Sequence, residues 1–243
     1  LHGVRDAEGV RAHLASRKAR DVVIVGGGLI GVEMTEALVA RGCRVTIVEA
    51  LNQIMRTLDW EMAQLLETHM EANGVRVMTD TRVMSFAGSE FVEGLVTDKG
   101  VLPADMVILG VGVSPQVELA RGAGLEIGPT QAIRVDNRMM TSDPDIYAAG
   151  DCVENVDIIT GLPIYVPMGS TANKQGRIAA INICGGNDTF PGVLGTVVCK
   201  VFDYCVARTG LTEADAREAG YDVITVLTGA PDREHFMPNA KPL

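Results

Sequence analysis

Residues 21–33 read DVVIVGGGLIGVE, and their interpretation decides the fold. The first five form an unbroken apolar run, as expected of a strand buried on both faces. Gly26, Gly28 and Gly31 then follow the spacing G-x-G-x-x-G. Each glycine has a separate use in a strand-to-helix turn. Gly26 permits the tight turn, Gly28 lets the backbone approach a pyrophosphate, and Gly31 lets helix and strand pack closely. GVEMTEALVARG, running to Gly42, has amphipathic helical patterning, and CRVTIVEA reads as the next strand. Strand, glycine turn, helix and strand together imply a Rossmann-like βαβ unit. An anionic ligand would sit at the helix N-terminus, where free N–H groups and the helix dipole favour negative charge.

The second strand ends at Glu49, eighteen residues past Gly31. A carboxylate there can accept hydrogen bonds from both ribose hydroxyls of an adenosine and would repel a 2′-phosphate. Glu49 therefore argues for NADH over NADPH, or else for FAD. The alternative is a solvated charge at a strand end.

Working outward, residues 6–20 read as a short polar helix with Val10 and Leu14 on one face. DWEMAQLLETHMEAN, residues 59–73, is a further helix, with Asp59 as N-cap and Gly74 just past its end. VRVMTD is strand-like, and TRVMSFAGSEFVEGLVTDKGVLPA alternates between turn signals as a small antiparallel meander. ADMVILGVGV is again a buried strand. Residues 21–113 thus imply a parallel sheet with right-handed crossovers and an antiparallel insert. Beyond Pro115 come a short helix in QVELARGAGL, short strands and turns in IRVDNRMMTSDPDIYAAGD, and a loop feeding a helix in YVPMGSTANKQGRIAAINICGG. From Gly195 the pattern turns α+β: GTVVCKVFDYCVARTGL, a helix in TEADAREAG and a strand in YDVITVLTG.

Composition narrows the function classes. The net charge of -10 disfavours nucleic acid and anionic lipid as partners. No apolar run reaches the roughly 20 residues of a membrane span, and the N-terminus has no basic-then-apolar signal pattern. Cys199 and Cys205, read as lying on one strand, would stand roughly 20 Å apart, too far to bridge. The five cysteines are expected to be reduced and mostly buried, and the protein cytoplasmic.

TSDPDIYAAGD, residues 141–151, adds a second signature. Its terminal Asp151 is a short carboxylate suited to binding sugar-like hydroxyls, or else a turn or N-cap residue. Together with VVIVGGGLIGVE and ILGVGVSP it resembles the FAD-dependent pyridine nucleotide-disulfide oxidoreductases. The wording is most similar to the coenzyme A-disulfide reductase and NADH oxidase/peroxidase branch, and the similarity extends over nearly the whole chain. The resemblance implies a strand ending in A-x-G-D, with Gly150 and Asp151 on the ribityl chain of FAD. It implies that Gly169 and Ala172, in PMGSTANKQGRIAA, make close backbone contacts at the flavin edge. KVFDYCVARTGLTEADAREAGYDV and HFMPNAKPL look like parts of the family's dimerisation domain.

Members of this family carry an earlier fingerprint for FAD followed by a redox cysteine. This sequence has one fingerprint, and none of its five cysteines stands in a matching context. It also lacks a starting Met. By this resemblance the chain looks like an internal segment. Residues 1–20 would close a FAD-domain segment, 21–114 form the NAD(H) domain, 115–192 the later part of a second Rossmann-like FAD domain, and 193–243 the start of the α+β dimerisation domain. The glycine turn then becomes the NAD site, lined by Gly26, Gly28, Leu29, Ile30 and Gly31. Glu33 would lie near nicotinamide and flavin, or else be a solvated first-turn charge. Ile30 would pack by the nicotinamide, Leu58 would border the adenosine end, and Gly112 would let a strand end approach NADH. Ser114 stands where many relatives have Arg or Lys, which leaves the substrate branch open.

The implied activity is hydride transfer from NADH to FAD and onward to a disulfide or thiol, peroxide or oxygen, in a homodimer when full length. The segment alone is expected to be colourless and inactive. The alternatives are a non-enzymatic NADH-binding or heterodimerising module, and a ferredoxin-reductase-type subunit.

Overall fold

The computed structural model describes residues 3–17, 19–231, 233–234 and 236–238. It divides into two compact units, Leu1–Gly210 and Leu211–Leu243.

In the first unit, α1 (Val4–Arg17) precedes β1 (Asp21–Val25), α2 (Leu29–Val39), β2 (Arg44–Val48), α3 (Trp60–Ala72) and β3 (Arg76–Met78). The meander follows as β4 (Val83–Ala87), β5 (Gly94–Thr97) and β6 (Gly100–Pro103), and β7 (Met106–Leu109) returns to the sheet. The sheet is parallel in the order β3-β2-β1-β7, and Ile24 lies level with Ile47 and Ile108. The apolar run of β1 is explained by what covers each face, since alternate residues of a strand point to opposite sides. Val22 and Ile24 pack with Val32, Leu38, Leu66 and Met70 under the helices. Val23 and Val48 pack with Leu95, Leu102 and Ala104 of the insert. The meander therefore closes the second face of the sheet.

Helix boundaries follow their local signals. Asp59 is the N-cap of α3, as expected. At its other end Gly74 takes φ +83°, with Val75 N–H bonded to Met70 O and Gly74 N–H to Glu71 O. Those two bonds form a Schellman C-cap. Val10 and Leu14 pack α1 against the core.

Residues 115–192 are sparser in regular structure. They contain α4 (Glu118–Gly122), a two-stranded pair β8 (Asn155–Val156) and β9 (Pro163–Ile164), and α5 (Gly169–Ile183). The strand implied at YAAGD is instead a single bridge, Met140 to Tyr147. A strand exists only with a neighbour to bond, and the described residues supply no longer ladder there. The β8–β9 hairpin escapes the sequence reading because each strand is two residues long.

GTVVCKVFDYCVARTGL is also not one strand but an antiparallel hairpin, β10 (Val197–Val201) and β11 (Tyr204–Arg208). Cys199 pairs with Val206, and Cys205 pairs with Lys200. Cys199 and Cys205 are thus one register position apart, on opposite faces of the ribbon. They do not bridge because they face opposite ways, not because a straight strand separates them. Only Cys43 and Cys199 are buried; Cys152 is half-buried, and Cys184 and Cys205 are exposed, so the five thiols are free but not mostly buried. The hairpin packs its Cys199 and Val201 into the core of the first unit. The structural division follows Gly210, beyond residue 193, where the resemblance implies that the dimerisation domain starts.

In the second unit, α6 (Glu213–Glu218) is capped by Thr212, whose hydroxyl accepts the Asp215 N–H at 3.1 Å. The strand expected in YDVITVLTG is absent. Residues 221–230 have no regular structure, and Ile224 is 91% exposed and Val226 83%. Their β-branched residues suit a strand, but no described strand runs beside them to complete a ladder. Most of HFMPNAKPL lies outside the described residues. No described helix is long and apolar enough to cross a membrane, and no described cluster of His, Cys, Asp and Glu could hold a metal ion.

Candidate functional site

The chain leaves β1 for β2 and β3 on one side of the sheet, then places β7 on the other. The carboxyl end of β1 is therefore the point where strand order reverses, and open α/β sheets bind ligands in the crevice at such a point. The glycine turn lies there.

Its glycines are required for different reasons. A Cβ on Gly31 would stand 2.1 Å from Gly26 O, and one on Gly26 would stand 2.4 Å from Gly110 O. Gly26 also takes φ +104°. These two positions are closed by the protein's own backbone. Gly28, the N-cap of α2, is exposed, and a Cβ there would meet nothing within 4 Å. It faces open space before the first-turn N–H groups of α2, which have no intrahelical acceptors. Outside the three fingerprint positions, Gly27 is closed as well, and Gly110 does the closing rather than being closed. A Cβ on Gly27 would press on the Ile54 side chain at 2.5 Å, and Gly110 is the neighbour that closes Gly26. Their signal was visible in the triple glycine and in ILGVGV, but not their contacts.

Glu49 belongs to the turn more closely than its sequence position shows. Its Oε2 accepts the Gly27 N–H at 2.7 Å and its Oε1 accepts the Leu51 N–H at 2.8 Å. The carboxylate thus ties the end of β2 to the glycine loop. Two oxygens offer about four lone-pair sites, so acceptors remain for ribose hydroxyls. An exposed apolar rim surrounds the carboxyl ends of β1 and β7: Ile30, Leu109, Val111 and Val113. Gly112, at φ +105°, lies in this rim with nothing near its Cβ position.

Leu58 is a core residue in the structure. It is 5% exposed and packs in the core, because the segment entering α3 uses it to cover the sheet. Glu33 is exposed on α2. It stands close enough to Cys199 for its charge to bear on that thiol. Burial first, then Glu33, then Cys205, push the Cys199 pKa up, which keeps the thiol protonated at neutral pH. One turn later on the same helix, Glu36 accepts both Lys200 Nζ at 2.9 Å and Phe202 N–H at 3.0 Å. Glu36 escaped the sequence reading because its partners lie more than 160 residues away.

The second cluster gathers Gly150, Asp151, Gly169 and Ala172. Gly150 takes φ +90°, and its Cβ position lies 3.4 Å from Ala172 Cβ, an ordinary contact. The turn therefore rests against the first turn of α5. Gly169 opens that helix, and a Cβ there would meet nothing within 4 Å. Asp151 is exposed, as a carboxylate offered to a ligand must be. Three further residues, unforeseen from sequence, hold this turn: Gln175, Asn155 and Tyr165. Burial, then the charges of Asp151 and Cys152, push the Tyr165 pKa up. Burial foremost also pushes the Cys152 thiol up, with Asp151 adding to the effect.

The family model described as pyridine nucleotide-disulphide oxidoreductase matches residues 1–179. The NAD(P)H sulfur oxidoreductase (CoA-dependent) of Pyrococcus abyssi is 42% identical over 237 residues, which cover 97% of this chain and 53% of the relative. The NADH oxidase of Methanocaldococcus jannaschii is 36% identical over 239 residues, covering 98% of this chain and 53% of the relative. Among solved structures, a NAD-dependent persulfide reductase from A. fulgidus superposes with a TM-score of 0.96 at 43% identity, over 99% of this chain and 45% of that one. The chain spans about half the length of the curated relatives it matches.

Proposed function

The chain belongs to the pyridine nucleotide-disulphide oxidoreductase family, and we propose that it is the NADH-binding portion of a flavoprotein oxidoreductase. The observation that carries this reading is the division of labour among its glycines. Gly26 and Gly31 are closed by backbone, while Gly28 leaves space before the α2 N-terminus at the reversal point of the sheet. A pyrophosphate fits such a cradle. When bound, NADH would supply hydride chemistry and FAD would be its acceptor.

The chain's own residues bind and orient. First-turn N–H groups of α2 receive the pyrophosphate. Glu49 braces the loop and offers its remaining lone pairs to ribose hydroxyls. A 2′-phosphate would meet its negative charge, so NADH is preferred over NADPH. The apolar rim around Ile30 excludes water from the nicotinamide end, with Glu33 nearby. Asp151 would hold the hydroxyl chain of FAD, and Gly169 and Ala172, at the N-terminus of α5, would meet the flavin edge. The names of the sulfur oxidoreductase and persulfide reductase relatives favour a sulfur acceptor over oxygen. On this reading the full-length protein would act as a cytoplasmic homodimer, and the 243-residue chain alone should be colourless and show no NADH turnover.

Gly28→Ala tests the cradle. Its φ of -76° suits any residue, so thermal stability should change by no more than about 0.5 kcal/mol. NADH affinity, read by fluorescence titration, should drop at least about fivefold, because the methyl occupies ligand space and costs roughly 1 to 3 kcal/mol by overpacking. Undiminished affinity in a folded variant would place the ligand elsewhere.

A further inference from the structure

The turn that presents Asp151 is pinned at both ends. The Gly150 N–H donates to Gln175 Oε1 at 2.9 Å. The Tyr165 hydroxyl donates to the Asp151 carbonyl, also at 2.9 Å. One bond holds the first polar atom of the Gly150–Asp151 dipeptide and the other holds the last.

The pins are themselves braced. Gln175 is 0% exposed, and its Nε2 donates to Asn155 Oδ1 at 2.7 Å. A backbone N–H can only donate, so Gln175 must turn its oxygen toward Gly150 and its nitrogen toward Asn155. Asn155 is 4% exposed and paired through its backbone with Ile164, the residue before Tyr165. The β8–β9 hairpin and α5 therefore grip the same dipeptide from two directions. Gln175 stands three positions after Ala172 on α5, so the helix that meets Gly150 through a methyl also reaches it through an amide.

Packing of the turn does not require this arrangement. Gly150 contacts Ala172 at ordinary distance, Val153 N–H closes the turn on Gly150 O at 3.1 Å, and isolated bridges flank it at Tyr147 and Val153. What the two side chains fix is direction, and a carboxylate that must meet sugar hydroxyls needs its position held within roughly 0.5 Å. Resting on the flavoprotein reading above, we infer that Gln175 and Tyr165 are positioning residues that set where the Asp151 carboxylate meets the hydroxyl chain of FAD.

The test uses the full-length protein, stripped of flavin and titrated with FAD, as wild type, Tyr165→Phe and Gln175→Met. Binding is read by flavin fluorescence, the flavin environment by its absorption spectrum, and NADH affinity and melting temperature are measured alongside. Loss of one such bond should weaken FAD binding about fivefold in Tyr165→Phe and about tenfold or more in Gln175→Met, where a donor loses its buried acceptor. The absorption spectrum shifts in both, while NADH affinity stays within about twofold, as expected for a site that shares no partner with the pins. Tyr165→Phe removes only a hydroxyl and keeps the test decisive if Gln175→Met fails to fold. Unchanged FAD affinity and spectrum in the folded variants would overturn the inference. So would FAD and NADH affinities that fall together with the melting temperature, the mark of a merely structural role. A wild-type protein that takes up no FAD overturns the flavoprotein reading itself, and this inference with it.

Discussion

The glycine turn at residues 26–31 and the turn at 149–151 each carry a glycine at positive φ and each belong to a proposed cofactor site, yet they are held by different means. The first is locked sterically. Its glycines nest against backbone atoms of Gly26 and Gly110, over a four-stranded sheet buried on both faces. The second has no such floor. Gly150 takes φ +90° there, and besides the Val153 N–H on Gly150 O the turn is held by hydrogen bonds to side chains 14 and 25 residues downstream. A steric lock is written into local spacing and is recognised from a few residues. A hydrogen-bonded pin is written into long-range partners, and no spacing announces it.

The largest expected effect lies in the steric lock. Gly31→Ala places a methyl 2.1 Å from Gly26 O, a backbone atom with nowhere to go. Destabilisation of about 3 kcal/mol or more is expected, at the upper end for overpacking. Urea denaturation of the variant would read it directly. A loss under about 1 kcal/mol would show that the turn can yield, and the contrast with the second turn would collapse.

Next comes Glu49→Ala. In the sheet alone Glu49 would be a strand-end charge, but here each of its oxygens accepts a loop N–H. Removing it should weaken NADH binding by about 1 to 3 kcal/mol and also lower stability, because the Gly27 N–H loses its acceptor. Titration and melting of the same sample separate the two losses. Weakened binding at unchanged stability would mean that the brace to Gly27 contributes nothing and that the ribose contact accounts for the whole effect.

Gly150→Ala should cost less. Its new methyl makes only an ordinary contact with Ala172, so the penalty is conformational, about 1 to 2 kcal/mol for a non-glycine residue at positive φ. A cost equal to that of Gly31→Ala would erase the distinction between the two turns.

The same distinction explains what the sequence made legible. DVVIV, the fingerprint and the α3 caps were readable because each depends on neighbours within a few residues. The meander was readable as strands and turns, but its role as cover for Val23 and Val48 was not, since that contact spans about half a domain. Leu58 read as a border residue because nothing local says which way a residue ahead of a helix turns; the core claimed it. GTVVCKVFDYCVARTGL read as one strand because VFDYC lacks the Asn-Gly or Asp-Gly pair that usually marks a two-residue hairpin, and Phe202 takes φ +50° without it. Asp151 was found through resemblance, and its pins only through the structure.

The smallest effect separates the two regions by charge. The glycine-turn helix is tied to β10 by an ion pair, Glu36 with Lys200, whereas Asp151 is held by the neutral Gln175, Asn155 and Tyr165. The hydrogen bond from Lys200 foremost, with help from the Phe202 N–H, lowers the Glu36 pKa below its ordinary value of 4.5. A carboxylate whose folded pKa is depressed contributes stability above its unfolded pKa and loses it as pH falls through the folded value. Glu36→Gln should therefore melt below wild type at pH 7, and the gap should close as both are acidified through the carboxylate range. Because the pair is largely exposed, the gap should be small and should shrink in high salt. Gln175→Met carries no titrating group, so its stability gap should stay constant over the same acid range. If the Glu36→Gln gap persists unchanged at low pH, the tether between α2 and the hairpin is a matter of shape rather than charge, and both turns would be anchored by neutral contacts alone.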